Sequence, residues 1–146
     1  MIRRFGPTPQ KNRCYLRRPG VYAVLRLGDQ VLLTHQARPV AEFQLPGGGI
    51  DPGESPIPAL HREVYEETGW TITGLRRAGA FRRFVYMPDY DIWADKLCTI
   101  YTARPVRQIG PPTEPAHEAV WMPAQEAARH LGNSGDRHFA ALLAAR

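Results

Sequence analysis

Cysteine is scarce in this chain: Cys14 and Cys98 are the only two among 146 residues. Two cysteines make no disulfide framework, no CxxC motif and no zinc-finger spacing. Two reduced thiols suit a cytoplasmic protein. No apolar run approaches the ~20 residues needed to cross a bilayer, so no membrane partner is expected. The residues after Met1-Ile2-Arg3-Arg4 lack the apolar stretch of a secretory leader. Acid is missing from the first 28 positions, while the first 18 hold six Lys and Arg (Arg3, Arg4, Lys11, Arg13, Arg17, Arg18). What the chain does have is enough apolar and aromatic side chains, 43% of the total, to bury a core. That excludes a disordered scaffold, and the length fits one domain.

Charge is unevenly spread. The net charge is +5, from 19 Lys and Arg against 14 Asp and Glu. Five of the acids nevertheless crowd between Asp51 and Glu67 (Asp51, Glu54, Glu63, Glu66, Glu67), with Arg62 the one base among them. Like charges side by side repel, and a bound multivalent cation relieves them. Residues 1–19 read as a basic, unpatterned extension, solvated or set against a polyanion such as RNA. Residues 20–146 read as one domain.

The pattern within that domain alternates strands and helices. Residues 21–27 and 30–35 read as strands joined at Gly28-Asp29. Residues 42–45 read as a short strand ending at Pro46-Gly47-Gly48-Gly49. A helix is expected at about 56–68, with Ser55 as N-cap, Pro56 in the first turn and Gly69 as the left-handed C-terminal cap. One or two strands follow in 71–87, then a loop from Met87 to Trp93, a strand at 97–102, a loop at 108–115 and a strand at 119–122. Helices are expected from Pro123 to about Leu131 and from Arg137 to Ala145. The fold class is α+β, a mixed sheet flanked by helices as an α/β/α sandwich.

On a helical wheel Leu60 and Val64 share an inward stripe. Glu63 and Glu67 are four apart and lie beside it, with Glu66 one step further round. Three carboxylates on one helix edge, without Lys or Arg four residues on, differ from an ordinary solvated face. Mg²⁺ or Mn²⁺, which take oxygen ligands, would neutralise them. The preceding glycines let backbone atoms come close to a ligand.

The stretch from Gly48 to Trp70 resembles the Nudix box. That pattern runs Gly, five residues, Glu, seven residues, Arg-Glu, an apolar residue, any residue, Glu-Glu, any residue, Gly, and a bulky apolar residue. The chain supplies Gly48, Glu54, Arg62-Glu63, Val64, Glu66-Glu67, Gly69 and Trp70. Trp70 stands where an aliphatic residue is commoner. The resemblance implies the Nudix fold, with the box forming a loop and helix at about 48–69. It also implies pyrophosphohydrolase activity on a nucleoside diphosphate linked to another group. Glu63, Glu66 and Glu67, with the carbonyl of Gly48, would hold the metal, and Arg62 and Glu54 would keep the box in shape. The general base would be Glu63 or a carboxylate from a later loop.

Outside the box, Glu118 and Glu114 are the candidate remote carboxylates, with His117 between structural and titrating roles. Arg82 and Arg83 point to opposite faces of a strand, so one can grip a substrate phosphate. Tyr90 and Trp93 can stack on a nucleobase, as can Tyr86, whose place 16 residues after the box resembles that of a tyrosine in diadenosine polyphosphate hydrolases. Gln44-Leu45-Pro46-Gly47-Gly48 departs from the Met-Pro-Gln-Gly form of bacterial RNA pyrophosphohydrolases. The expected partner is a small nucleotide. RNA is the secondary candidate, a nucleotide-sensing domain without catalysis is the other alternative, and a homodimer is left open.

Overall fold

The computed structural model describes residues 2–144. Its centre is a mixed sheet. β1 (Arg3–Arg4), β2 (Leu16–Leu27), β3 (Gln30–Gln36), β4 (Glu42–Gln44) and β5 (Gly47–Gly49) precede the first helix, α1 (Pro56–Thr68). β6 (Trp70–Met87), β7 (Ile92–Gln108) and β8 (His117–Pro123) follow it, and α2 (Ala124–His130) and α3 (Ser134–Ala144) close the described chain. The strand order is β1-β6-β7-β2-β3-β4, with β5 paired to β2 and β8 paired to β3. β2 runs parallel to β7 and β1 parallel to β6; the other pairings are antiparallel. The α+β expectation holds.

Alternation along the strands builds two cores, one per sheet face. Val21, Ala23, Leu25 and Leu32 turn to one face and pack with Ala59, Leu60 and Val64 of α1. Val24, Val31, Leu33, Phe81, Cys98 and Ile100 turn to the other and pack with Ala127 of α2 and Phe139 and Ala140 of α3. Helices therefore cover both faces, as the sandwich reading expects. Each fully buried aliphatic or aromatic side chain removes apolar surface worth ~1.5–3 kcal/mol.

Helix α1 starts and stops as its sequence suggests. Ser55 has the extended backbone of an N-cap, although its hydroxyl makes no capping bond, and Pro56 opens the first turn. Gly69 adopts the left-handed conformation at φ +77°, and its N–H bonds Tyr65 O at 2.8 Å. Glu67 and Thr68 are buried at the last turn.

Several boundaries differ from the sequence expectations. β2 begins at Leu16, so residues 16–19 are strand, and the expected division at residue 20 falls inside it. The parallel ladder from Leu16↔Ala94 to Leu25↔Ala103 supplies the hydrogen bonds that hold this segment. Further upstream, β1 pairs with Phe81 and Arg82, and Phe5 packs edge-on against Phe81 at 5.5 Å. The basic segment is therefore laid onto the sheet. The loop expected from Met87 to Trp93 contracts to residues 88–91, because Tyr86 and Trp93 face each other across the β6–β7 hairpin with ring centroids 5.1 Å apart. Helix α3 starts three residues early, since Asn133 Oδ1 accepts the Asp136 N–H at 2.8 Å and caps it. Its expected last residue, Ala145, lies outside the described residues.

At Gly69 an added Cβ would fall 1.9 Å from Gly110 O, an obstacle of backbone, in a conformation L-residues disfavour. Gly69→Ala should destabilise the protein by about 2 kcal/mol or more. Urea unfolding checks this; an unchanged midpoint would show that residues 109–111 move aside freely.

Candidate active site

The end of α1 and the glycine strand β5 bring the acidic residues together. β5 is held by β2, through Gly20↔Gly49, Val21↔Gly48 and Tyr22↔Gly47. Glu67 sits 6% exposed beneath it and accepts the Gly47 N–H on Oε1 at 2.9 Å. Its other oxygen lies 3.6 Å from His117 Nδ1, and that nitrogen is 3.0 Å from Thr34 Oγ1. Glu63 packs against Gly48 so closely that a Cβ there would stand 2.5 Å from its carboxylate. Gly48 is thus the residue that lets backbone and carboxylate meet.

Arg62 organises the outer side. Its Nε and Nη2 donate to both oxygens of Glu54 at 2.8 Å each, a bidentate fork. Its Nη1 reaches Glu63 Oε1 at 2.9 Å and both Glu66 oxygens at 3.3 Å. Glu54 also accepts the Asp51 N–H at 3.0 Å. The arginine hydrogen bonds first, then that N–H, hold the Glu54 carboxyl down at about 2. Burial instead pushes Glu67 well above the usual carboxylate range, with Glu63, Glu114 and Glu66 adding repulsion. Glu63 is raised by burial too, against the pull of Arg62. A divalent cation would reverse both shifts.

This part of the site fits a hard metal ion in its chemistry. The candidate donors are the carboxylates of Glu63, Glu66 and Glu67 and the Gly48 carbonyl, all oxygen. Among the described residues no three acidic, His or Cys side chains already converge as a metal-holding group. Arg62 stands between Glu63 and Glu66 and bonds both.

A cleft of about 570 Å³ opens beside these carboxylates. Glu63 and Glu67 line one end. The other end is lined by Arg18, Tyr22, Arg83, Lys96, Asn133 and Asp136. Residues 18 and 22 of β2, 83 of β6 and 96 of β7 share the sheet face covered by α3. Asp136, at 4% exposure, accepts the Leu45 N–H at 3.3 Å. Burial lifts it to about 6, although Leu45, Arg83 and Lys96 act in the other direction.

The structure sorts the remaining candidates. Arg83 lines the cleft, whereas Arg82 turns to the other face and bonds Asp95 at 2.9 and 3.2 Å. Tyr90 lines the cleft, 59% exposed, under the Arg18 guanidinium at 4.8 Å. Trp93 does not line it; it packs with Tyr15 and Tyr86 and carries the Arg13 guanidinium 3.6 Å from its ring centre. Tyr86 spends its hydroxyl on Asp91. Glu118 also falls outside. It is exposed, one residue along β8 from His117, and alternation turns it from Glu67. Glu114 is nearer the acidic end: its N–H bonds Glu66 O at 2.8 Å, and its charge acts on Glu63 and Glu67. Lys96, Asp136, Asn133 and Tyr22 were missed from sequence. Only Asn133, as a capping residue before Ser134, left a local signal there.

A sequence model of the NUDIX domain matches residues 16–143. The chain belongs to the Nudix family. It is 32% identical, over 125 residues, to a CMP-5'-(N-acetyl-N-hydroxy-3-aminopropyl)phosphonate hydrolase of Streptomyces rubellomurinus, a match covering 80% of this chain and 57% of that protein. It is 40% identical, over 57 residues, to an RNA pyrophosphohydrolase of Helicobacter pylori, covering 36% and 37% of the two. The matches thus span roughly half or less of these relatives. The fold resembles that of a MutT NUDIX hydrolase from Burkholderia pseudomallei, with TM-score 0.70 and 20% identity over 87% of this chain and 98% of that one. The Nudix fold expected from the box is therefore present.

Asp136 gives the Nudix cleft a testable pH signature. An unfolded Asp titrates near 3.9, and the folded one near 6. Between these values the folded state keeps a proton that the unfolded chain has released, so stability falls as pH rises. Asp136→Asn retains an oxygen for the Leu45 N–H and abolishes the titration. The stability of wild type relative to Asp136→Asn should drop, from pH 4 to pH 7, by on the order of 3 kcal/mol. Urea unfolding across this range checks it; a flat difference would mean that Asp136 is ionised throughout.

Proposed function

We propose that this Nudix protein is a divalent-metal-dependent pyrophosphohydrolase, cleaving the linkage of a nucleoside diphosphate joined to another group. The observation that carries this is the buried Glu67 carboxylate, held by the Gly47 N–H beside Glu63 at the mouth of a cleft. An ionised carboxylate is expensive to bury without a cation. Mg²⁺ or Mn²⁺ at Glu63, Glu66, Glu67 and the Gly48 carbonyl would polarise the phosphate oxygens and lower the pKa of an attacking water.

The chain's own groups then divide the work. Glu67 is fixed by Gly47. Arg62 holds Glu54, Glu63 and Glu66 in register, a positioning role. Glu63, packed against Gly48 beside the cleft, is the box carboxylate placed to take a proton from water. Glu114 adds negative potential from the rim and replaces Glu118 as the remote carboxylate of interest. Arg83 and Tyr90 face the substrate in the cleft; Arg82 and Trp93 support the strands. Both cysteines are free, in keeping with a cytoplasmic setting, and among the described residues no helix is long and apolar enough to cross a membrane.

The test is product release from nucleoside triphosphates, dinucleoside polyphosphates, ADP-ribose, nucleotide sugars and 5′-triphosphorylated RNA, with Mg²⁺ and with Mn²⁺. Glu63→Gln and Glu67→Gln should each lower kcat by on the order of 10² or more. Glu66→Gln should lower it similarly or less. The rise in Tm on adding metal should shrink in all three. Folded variants with wild-type turnover would refute the assignment. Turnover confined to RNA would select that substrate instead, and metal-dependent nucleotide binding without turnover would favour a sensing domain.

A further inference from the structure

Three neighbouring strands carry a row of cations on the cleft face. Lys96 of β7 lies opposite Arg83 of β6 in the antiparallel ladder and beside Arg18 of β2 in the parallel one. All three line the cleft. Like charges facing each other across strands are destabilising. On the opposite face the same strands resolve that problem: Arg17 and Arg82 share the carboxylate of Asp95, at 3.0 and 2.9 Å. On the cleft face nothing comparable is present. Among the described residues neither Arg83 nor Lys96 makes a hydrogen bond or ion pair with a side chain; Lys96 lies over the Tyr22 ring at 5.7 Å, and Arg18 meets the Tyr90 ring rather than an acid. Asp136 and Glu42 are the acids whose charge acts on Lys96, and neither forms an ion pair with any of the three cations. Burial, with a contribution from Arg83, pushes the Lys96 ammonium below its ordinary value. A bound anion would restore it.

We propose that the row Arg18–Lys96–Arg83 is a second anion subsite, taking a phosphate or phosphonate group of the substrate outside the linkage that is cleaved. As a statement about substrate class it rests on the hydrolytic function proposed above. The carboxylates of Glu63 and Glu67 repel a bare phosphate at their end of the cleft, whereas the cation row attracts one without a metal. Substrates with a third anionic group therefore engage both ends. A diphosphate capped by a neutral sugar engages one.

The experiment uses the full chain in EDTA, titrated calorimetrically with inorganic tripolyphosphate. Wild type should bind it, and Arg83→Gln and Lys96→Gln should each weaken binding at least tenfold. Lys96→Arg should retain affinity. Arg107→Gln removes the same charge from an exposed site outside the cleft and should bind as wild type does. Glu67→Gln should bind no more weakly than wild type. Neither metal nor turnover enters this measurement, so its outcome is separate from that of the hydrolytic assignment. With metal present, Lys96→Gln should raise KM for a nucleoside triphosphate about tenfold and leave KM for ADP-ribose within twofold. Thermal unfolding serves as the folding control, since removing one of three like charges should leave Tm unchanged or raise it. Absence of tripolyphosphate binding in wild type, equal binding in Arg83→Gln and Lys96→Gln, or parallel KM increases for both substrates would overturn the proposal.

Discussion

Burial of the Glu67 carboxylate between α1 and β5 is the constraint to which the rest of the site answers. A charge removed from water needs a partner, and the Gly47 N–H supplies one hydrogen bond. That bond requires the glycine strand to lie close over the helix. It also requires α1 to be held at a set depth, which the packing of Leu60 and Val64 accomplishes. Gly69 ends the helix just beyond, so that the chain can leave as β6. Arg62 then gathers the acids that remain outside. Its fork on Glu54 ties the helix to the loop, and its Nη1 spans Glu63 and Glu66. The acidic end of the cleft is thus prepared in two ways: Glu67 by burial, and its neighbours by one shared arginine.

The opposite end has a different construction. It is made by strands rather than by a helix, and its charges come from β2, β6 and β7. Alternation distributes the basic residues of these strands over two environments. One set meets Asp95 and is neutralised. The other set enters the cleft with Tyr22 and Asp136. A cleft with acids at one end and cations at the other is polar along its length, which suits an elongated anionic molecule carrying a metal. The arm upstream of the sheet contributes to this arrangement. Arg13 on Trp93 and Phe5 on Phe81 pin it down, and Arg18 reaches the cleft because β2 begins early.

How much of this was legible in the sequence depends on how far apart the interacting residues lie. Glu63 and Glu67 are one helical turn apart, and any helix at 56–68 places them together beside Leu60 and Val64. Ser55-Pro56 and Gly69 announce the ends of that helix, and the spacing from Gly48 to Trp70 carries the family. Strand alternation likewise told that Arg82 and Arg83 part company. It could not tell which faces the cleft. That depends on where α3 packs and on where Asp95 lies, 13 residues away across a hairpin.

The box, its helix, the fold class and the oxygen-rich character of the carboxylate cluster were determined by the sequence alone, because each rests on contacts within a turn or on strict local spacing. Tertiary structure alone decided that Glu118 faces out while Glu114 lies near the acids, and that Trp93 supports the hairpin. It also decided that Lys96, Asp136 and Arg18 belong to the cleft. Those outcomes follow from a parallel pairing of β2 with β7 and from the docking of α3. Such contacts join segments tens of residues apart, and no local period records them. The register of one ladder settles the facing of every side chain along it.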